Sequence, residues 1–228
     1  MPGTDSIRHP LTRTLLVLTA ITGVVDAAAY LGLGHVFAAN MTGNLLLLGF
    51  GIAGAGGLSA AGPLVSIGAF ALGGVAGGRV VADAPADRLL GRSMAIEVCL
   101  FGLATLLAIV LDITPDHFSG YLVIGVLAFT MGLRNAAVRR LGVPDISTVV
   151  MTMTLTALTA DSPLGGGHGE GTWRRGGVVV AMLAGAVLGA LLVKSDLVYV
   201  LLAAAVLALA TALFLVPAVR SGSADPGE

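Results

Sequence analysis

The chain has 228 residues, a formal net charge of −1, 56% hydrophobic residues and only 11% charged ones. Its mean hydropathy is +0.97. A soluble domain carries roughly twice that share of charge, so these values exclude a soluble globular enzyme and leave no basic surface for nucleic acid. They define the fold class as an all-α polytopic membrane protein.

Residues 1–12 form a polar, basic N-terminal tail. Apolar runs follow at 13–34, 36–57, 60–82, 93–111, 119–138, 146–160, 175–194 and 197–217, each bounded by charge, proline or glycine. The first run is too long for the apolar part of a cleaved leader, and equally apolar runs follow it, so it reads as a span. Six runs are long enough to cross a hydrocarbon core of roughly 30 Å. Two differ. The run at 36–57 opens on the polar segment Asn40–Asn44, and the run at 146–160 is short and threonine-rich. Residues 161–174 form a glycine-rich loop, and 218–228 form a polar tail.

Arginines cluster at Arg8 and Arg13, at Arg79, Arg88 and Arg92, at Arg139 and Arg140, at Arg174 and Arg175, and at Arg220. The 112–118 connection has none. If all eight runs crossed, the 79–92 arginines would lie outside, against the positive-inside rule. Six transmembrane helices plus two re-entrant, half-depth segments at 36–57 and 146–160 remove that conflict. Both termini are then cytoplasmic, in the inner membrane of a bacterial cell.

The two halves, 13–112 and 113–217, resemble each other. Gly23, Asp26, Ala27 and Ala28 match Gly132, Asn135, Ala136 and Ala137 at an offset of 109. The run Met41–Leu45 matches Met151–Leu155 at 110, and Gly74 and Gly78 match Gly185 and Gly189 at 111. Three spans per half give an inverted-topology 3+3 repeat, a layout that places substrate sites near the bilayer midplane. Gly74 and Gly78, with Gly73 and Gly77 beside them, and Gly185 and Gly189 read as close-packing faces, within the chain or against a second copy in a homo-oligomer.

Asp26 stands inside the first apolar run, about 20 Å along a helix from Arg13. A carboxylate at that depth must face protein or water. It reads either as a coupling carboxylate for protons or cations or as a structural group bonded to Thr22 or to a hydroxyl on another helix. Asn40, Thr42 and Asn44 stand where a half-helix begins, so they serve either a polar ligand at its N-terminus or ordinary capping. Gly23, Asp26-Ala27, Val36-Phe37 and the run Asn40-Met41-Thr42-Gly43-Asn44 resemble the N-terminal signature of the YoaK family of bacterial multi-span membrane proteins. The resemblance implies a membrane class; it carries no activity over to this chain.

Arg134 and Asn135 lie near the inner edge of the fifth run, where Arg134 either snorkels or binds ligand. The inverted layout puts Arg134 and Asp26 at different depths, against a direct pair. Thr152 and Thr154 are the second-half counterparts of Thr42 and Asn44. Glu97 is within reach of Arg92, and His35 sits at the turn after the first span. Cys99 is the single cysteine, and the four histidines lack ligand spacing, so neither metal nor cofactor is expected. There is no P-loop or hydrolase motif, and an enzyme is not the expectation.

The sequence thus points to a permease or transporter-like protein. Asp26, Asn40, Thr42, Asn44, Thr152 and Thr154 would line a midplane site for an unidentified small-molecule substrate, with proton coupling through Asp26. The lipid bilayer is its surrounding partner. The alternatives are a non-transporting scaffold or partner subunit and an intramembrane enzyme.

Overall fold

The computed structural model describes residues 10–82, 86–140, 151–167, 169, 171–217 and 219. Among them are eight α-helices and no strand. They are α1 (Pro10–Gly32), α2 (Met41–Ile52), α3 (Ala61–Ala82), α4 (Ala86–Val110), α5 (Phe118–Arg140), α6 (Met151–Ala160), α7 (Thr172–Val193) and α8 (Leu197–Ala210). A π-helical turn, Thr211–Leu215, extends α8. Six of these helices are long and apolar enough to cross a membrane, and α2 and α6 are the two short ones. Of the segment expected at 146–160, residues 146–150 lie outside the described residues.

Local chemistry sets the ends. After α1 the chain turns at Gly34 and His35, both with positive φ, and the His35 N–H bonds to the Tyr30 carbonyl at 3.1 Å. The rings of Tyr30 and Phe37 stack across this turn at 4.9 Å, and His35 meets Tyr30 edge-on at 5.2 Å. Asn40 caps α2, its Oδ1 accepting from the Gly43 N–H at 3.1 Å. Asp196 caps α8 in the same way, through the Val198 N–H at 2.8 Å.

Two helix pairs form the frame, α1 with α7 and α3 with α5. Glycine lets each pair approach backbone to backbone. A Cβ on Gly185 would overlap the Ala20 carbonyl, and one on Gly189 would lie 2.8 Å from the Val24 oxygen. On the other pair a Cβ on Gly73 would overlap the Phe129 carbonyl, and one on Gly77 would lie 2.8 Å from the Leu133 oxygen. Gly23 of α1 faces Met182 and Ala186, and Gly132 of α5 faces Phe70 and Gly74. The same contacts therefore recur with α1 displaced by 109 positions onto α5 and α3 displaced by 112 onto α7. This narrows one expectation. The close face of α3 is Gly73 and Gly77, whereas Gly74 and Gly78 have nothing within 4 Å of a Cβ built on them. Successive helical residues point about 100° apart, so a shift of one position turns a packed glycine outward.

The helices of each pair run parallel. Leu16, Ala20 and Val24 of α1 meet Gly177, Gly185 and Gly189 of α7 in order. Tyr121, Phe129 and Leu133 of α5 meet Gly62, Gly73 and Gly77 of α3 in the same way. The two pairs point in opposite directions, because Gly34, just past the end of α1, lies against Asp116, just before α5. We call the end where α1 begins the near end and the end where it stops the far end. The arginines that close α3 and α5 and open α7 all gather at the near end. The Asp112–His117 turn and Lys194 lie at the far end. α4 and α8 pack on each other and against α5 and α1, which are the two most buried of the long helices. Large apolar side chains such as Leu72, Ile109, Leu183 and Phe214 stay more than half exposed on the outer surface, as a surface facing acyl chains requires.

Candidate functional site

Thr22 and Asp26 are four residues apart on α1 and so share one helical face. Both are buried. Each anchors a separate polar cluster.

The first cluster satisfies a stretch of non-helical backbone. The chain from Leu33 to Asn40 folds back along α1, and its Val36 and Ala38 are fully buried. Unpaired peptide groups there would be costly. Asp26 Oδ1 accepts the N–H of Ala38 at 2.9 Å and of Ala39 at 2.8 Å. Asn44 holds the next peptide, its Oδ1 accepting the Phe37 N–H at 2.9 Å and its Nδ2 donating to the Phe37 oxygen at 2.7 Å. Ser66 of α3 donates to the same oxygen at 2.6 Å and accepts from Asn44 Nδ2 at 3.0 Å. The α2 helix thus starts at the level of Asp26 and runs antiparallel to α3, ending where Gly51 meets Ala60 at the far end.

The second cluster is an ion pair about 6 Å along α1 from the first. Arg134 of α5 is 1% exposed and Glu97 of α4 is 0% exposed. The guanidinium grips the carboxylate with two parallel bonds, Nε to Oε2 at 2.9 Å and Nη2 to Oε1. Its Nη1 donates to the Leu18 carbonyl at 2.9 Å and to Thr22 Oγ1 at 3.0 Å. The Phe101 ring lies 6.0 Å from the guanidinium carbon. Three helices meet in this pair.

Several expectations change here. Arg134 is held inside the bundle and does not snorkel. Glu97 pairs with Arg134, across 37 positions of sequence, and not with Arg92, which is exposed. Thr22 bonds Leu18 and Arg134, so the Asp26–Thr22 bond does not form. The expected polar residues do not converge on one chamber. Asp26 and Asn44 hold backbone; Asn40 and Thr42 are exposed. Thr154 is the buried residue of α6, as Asn44 is of α2, but α6 packs on α7 towards the near end, and Thr152 is exposed. Asn135 is half-buried beside Arg134. Ser66 and the Glu97–Arg134 pairing were not foreseen. An unaccompanied Glu and an unaccompanied Arg inside apolar runs were the only signal that could have linked them. Among the described residues no cluster of His, Cys, Asp and Glu could hold a metal ion.

Six long apolar helices, glycine-mediated crossings and charges buried at mid-span define a polytopic α-helical membrane protein. The chain belongs to the family described as protein of unknown function (DUF1275), which matches residues 14–214. It is 32% identical over 152 residues to the UPF0700 transmembrane protein YoaK of Bacillus subtilis (strain 168), a match covering 65% of this chain and 66% of that protein. The aligned region therefore spans just under two thirds of that relative. The YoaK-like character read from residues 23–45 agrees with both findings. No solved structure matches the chain.

Proposed function

We propose that this protein is a permease-like carrier of a small substrate in the bacterial inner membrane, with both termini cytoplasmic, and not an enzyme. The observation that carries the reading is the recurrence of one helix crossing in two opposite orientations, Gly23 with α7 and Gly132 with α3. Each half also includes one short helix, α2 or α6, with a single buried polar residue. In this reading the halves are an inverted-topology repeat, and 36–57 and 146–160 are re-entrant segments entering from opposite faces. Such halves rock against each other around a shared interface. The arginine-rich near end is the cytoplasmic one.

The test uses Thr22 and Met131, equivalent positions of the two halves that are buried at their junction, 4% and 1% exposed. In a Cys99→Ser background, Thr22→Cys and Met131→Cys are placed singly in sealed proteoliposomes. A carrier opens the junction to each side in turn, so a membrane-impermeant thiol reagent should reach both cysteines, each from either face. A junction closed to both faces would mean a static scaffold, and the carrier reading would be abandoned.

A further inference from the structure

The ion pair is not demanded by the fold. At the offset of 109, Arg134 corresponds to Val25 of α1, which is fully buried and apolar. The helix equivalent to α4 is α8, and it carries no Asp, Glu, Lys, Arg or His from Leu197 to Leu215. The same crossing is therefore filled by apolar side chains in one half and by a buried charge pair in the other. A buried pair adds little net stability over apolar packing, and an ionisable group kept inside a membrane bundle points to function.

The geometry of the pair names a ligand class. Glu97 sits in the bidentate fork of Arg134, the arrangement by which arginine recognises a carboxylate. The site is already a carboxylate-binding site, with the protein's own side chain as occupant.

We propose that Arg134 binds the carboxylate of a small organic anion in place of Glu97, and that Glu97 takes up one proton as it is displaced. On release the anion leaves Arg134, the proton leaves Glu97, and the pair closes again. Each cycle moves one anion with one proton and no net charge. This deepens the carrier reading and rests on it. Among the described residues, α5 brings one charged group to Glu97, Arg134; α8 brings none; α1 offers the Thr22 hydroxyl and, one turn on, Asp26, whose Oδ1 is held by peptide N–H groups. On α4 itself Arg92 and Cys99 are exposed.

The experiment measures binding and flux separately. Purified protein is titrated between pH 6 and 8 with pyruvate, lactate and phenylpyruvate, and with chloride, methylammonium and glycerol as contrasts. Proteoliposomes carrying an internal pH dye then report proton entry driven by each carboxylate, against empty vesicles. We expect carboxylate affinity to be higher at the lower pH, since a proton is taken up with each anion, with matching internal acidification. Glu97→Gln should bind carboxylate without that pH dependence. If Glu97→Gln does not fold, the double variant Glu97→Met with Arg134→Met removes both charges together; it should fold and bind no carboxylate. Wild-type protein that binds none of the carboxylates, or a folded double variant that binds them as well as wild type, overturns the proposal. Carboxylate binding with no flux would keep the site and remove the carrier reading. Flux of a contrast solute untouched by the double variant would keep the carrier and remove the site.

Discussion

Asn44 treats Phe37 as a second peptide group would, accepting its N–H at 2.9 Å and donating to its oxygen at 2.7 Å. One side-chain amide thereby fastens the non-helical strand to the first turn of α2 and, through Ser66, to α3. Asn44→Ala would leave the Phe37 N–H without its partner, while the Phe37 oxygen keeps the Ser66 hydroxyl. The expected loss is about 1–3 kcal/mol for the orphaned group, read as a lower melting temperature in detergent.

Asp26 meets the same kind of demand one residue further along, with a single oxygen. An amide oxygen can accept those two N–H groups as well as a carboxylate can. Asp26→Asn should therefore keep near-normal stability, while Asp26→Leu should lose about 1–3 kcal/mol for each of the two peptides it strands. Thermal unfolding of the two variants checks this. Proton-coupled flux in Asp26→Asn separates capping from coupling: flux that survives leaves coupling to Glu97, and flux that vanishes returns it to Asp26.

The glycines divide by direction. Gly73→Ala and Gly185→Ala each push a methyl group into a facing carbonyl, so their helix pairs must separate, at a cost of about 1–3 kcal/mol. Gly78→Ala meets nothing and should stay within about 0.5 kcal/mol of wild type. Four melting curves, one for each variant and one for wild type, are sufficient. Equal losses at positions 73 and 78 would show that α3 is turned differently in its pair.

Orientation can be read with cysteines in the Cys99→Ser background. Ala55, after α2, and Thr114, before α5, are exposed at the far end, while Leu164, between α6 and α7, is fully exposed towards the near end. In intact cells an impermeant thiol reagent should label Ala55→Cys and Thr114→Cys but not Leu164→Cys until the membrane is permeabilised. Labelling of Ala55→Cys and Thr114→Cys from opposite sides would mean that α2 traverses the bilayer.

The number, length and order of the membrane helices were legible in the letters, because a long apolar run has few alternatives to a helix in lipid. The α4 helix begins at Ala86, earlier than the apolar run at 93, since a helix continues into the charged interface where hydropathy has already fallen. Asp26 and Asn44 stood out as polar residues in apolar surroundings, and both turned out buried. Their task was not legible, because the groups they satisfy are backbone, which every residue carries and no sequence pattern marks.

Apolar length and the placement of arginine determined the class of this protein before any coordinate was known. Tertiary structure alone decided which glycine of an adjacent pair touches a neighbour and which acid answers Arg134. Those choices depend on helix rotation and on contacts between residues far apart in the chain. A step of one residue swings a side chain through about 100°, and hydropathy averaged along a run does not register that turn.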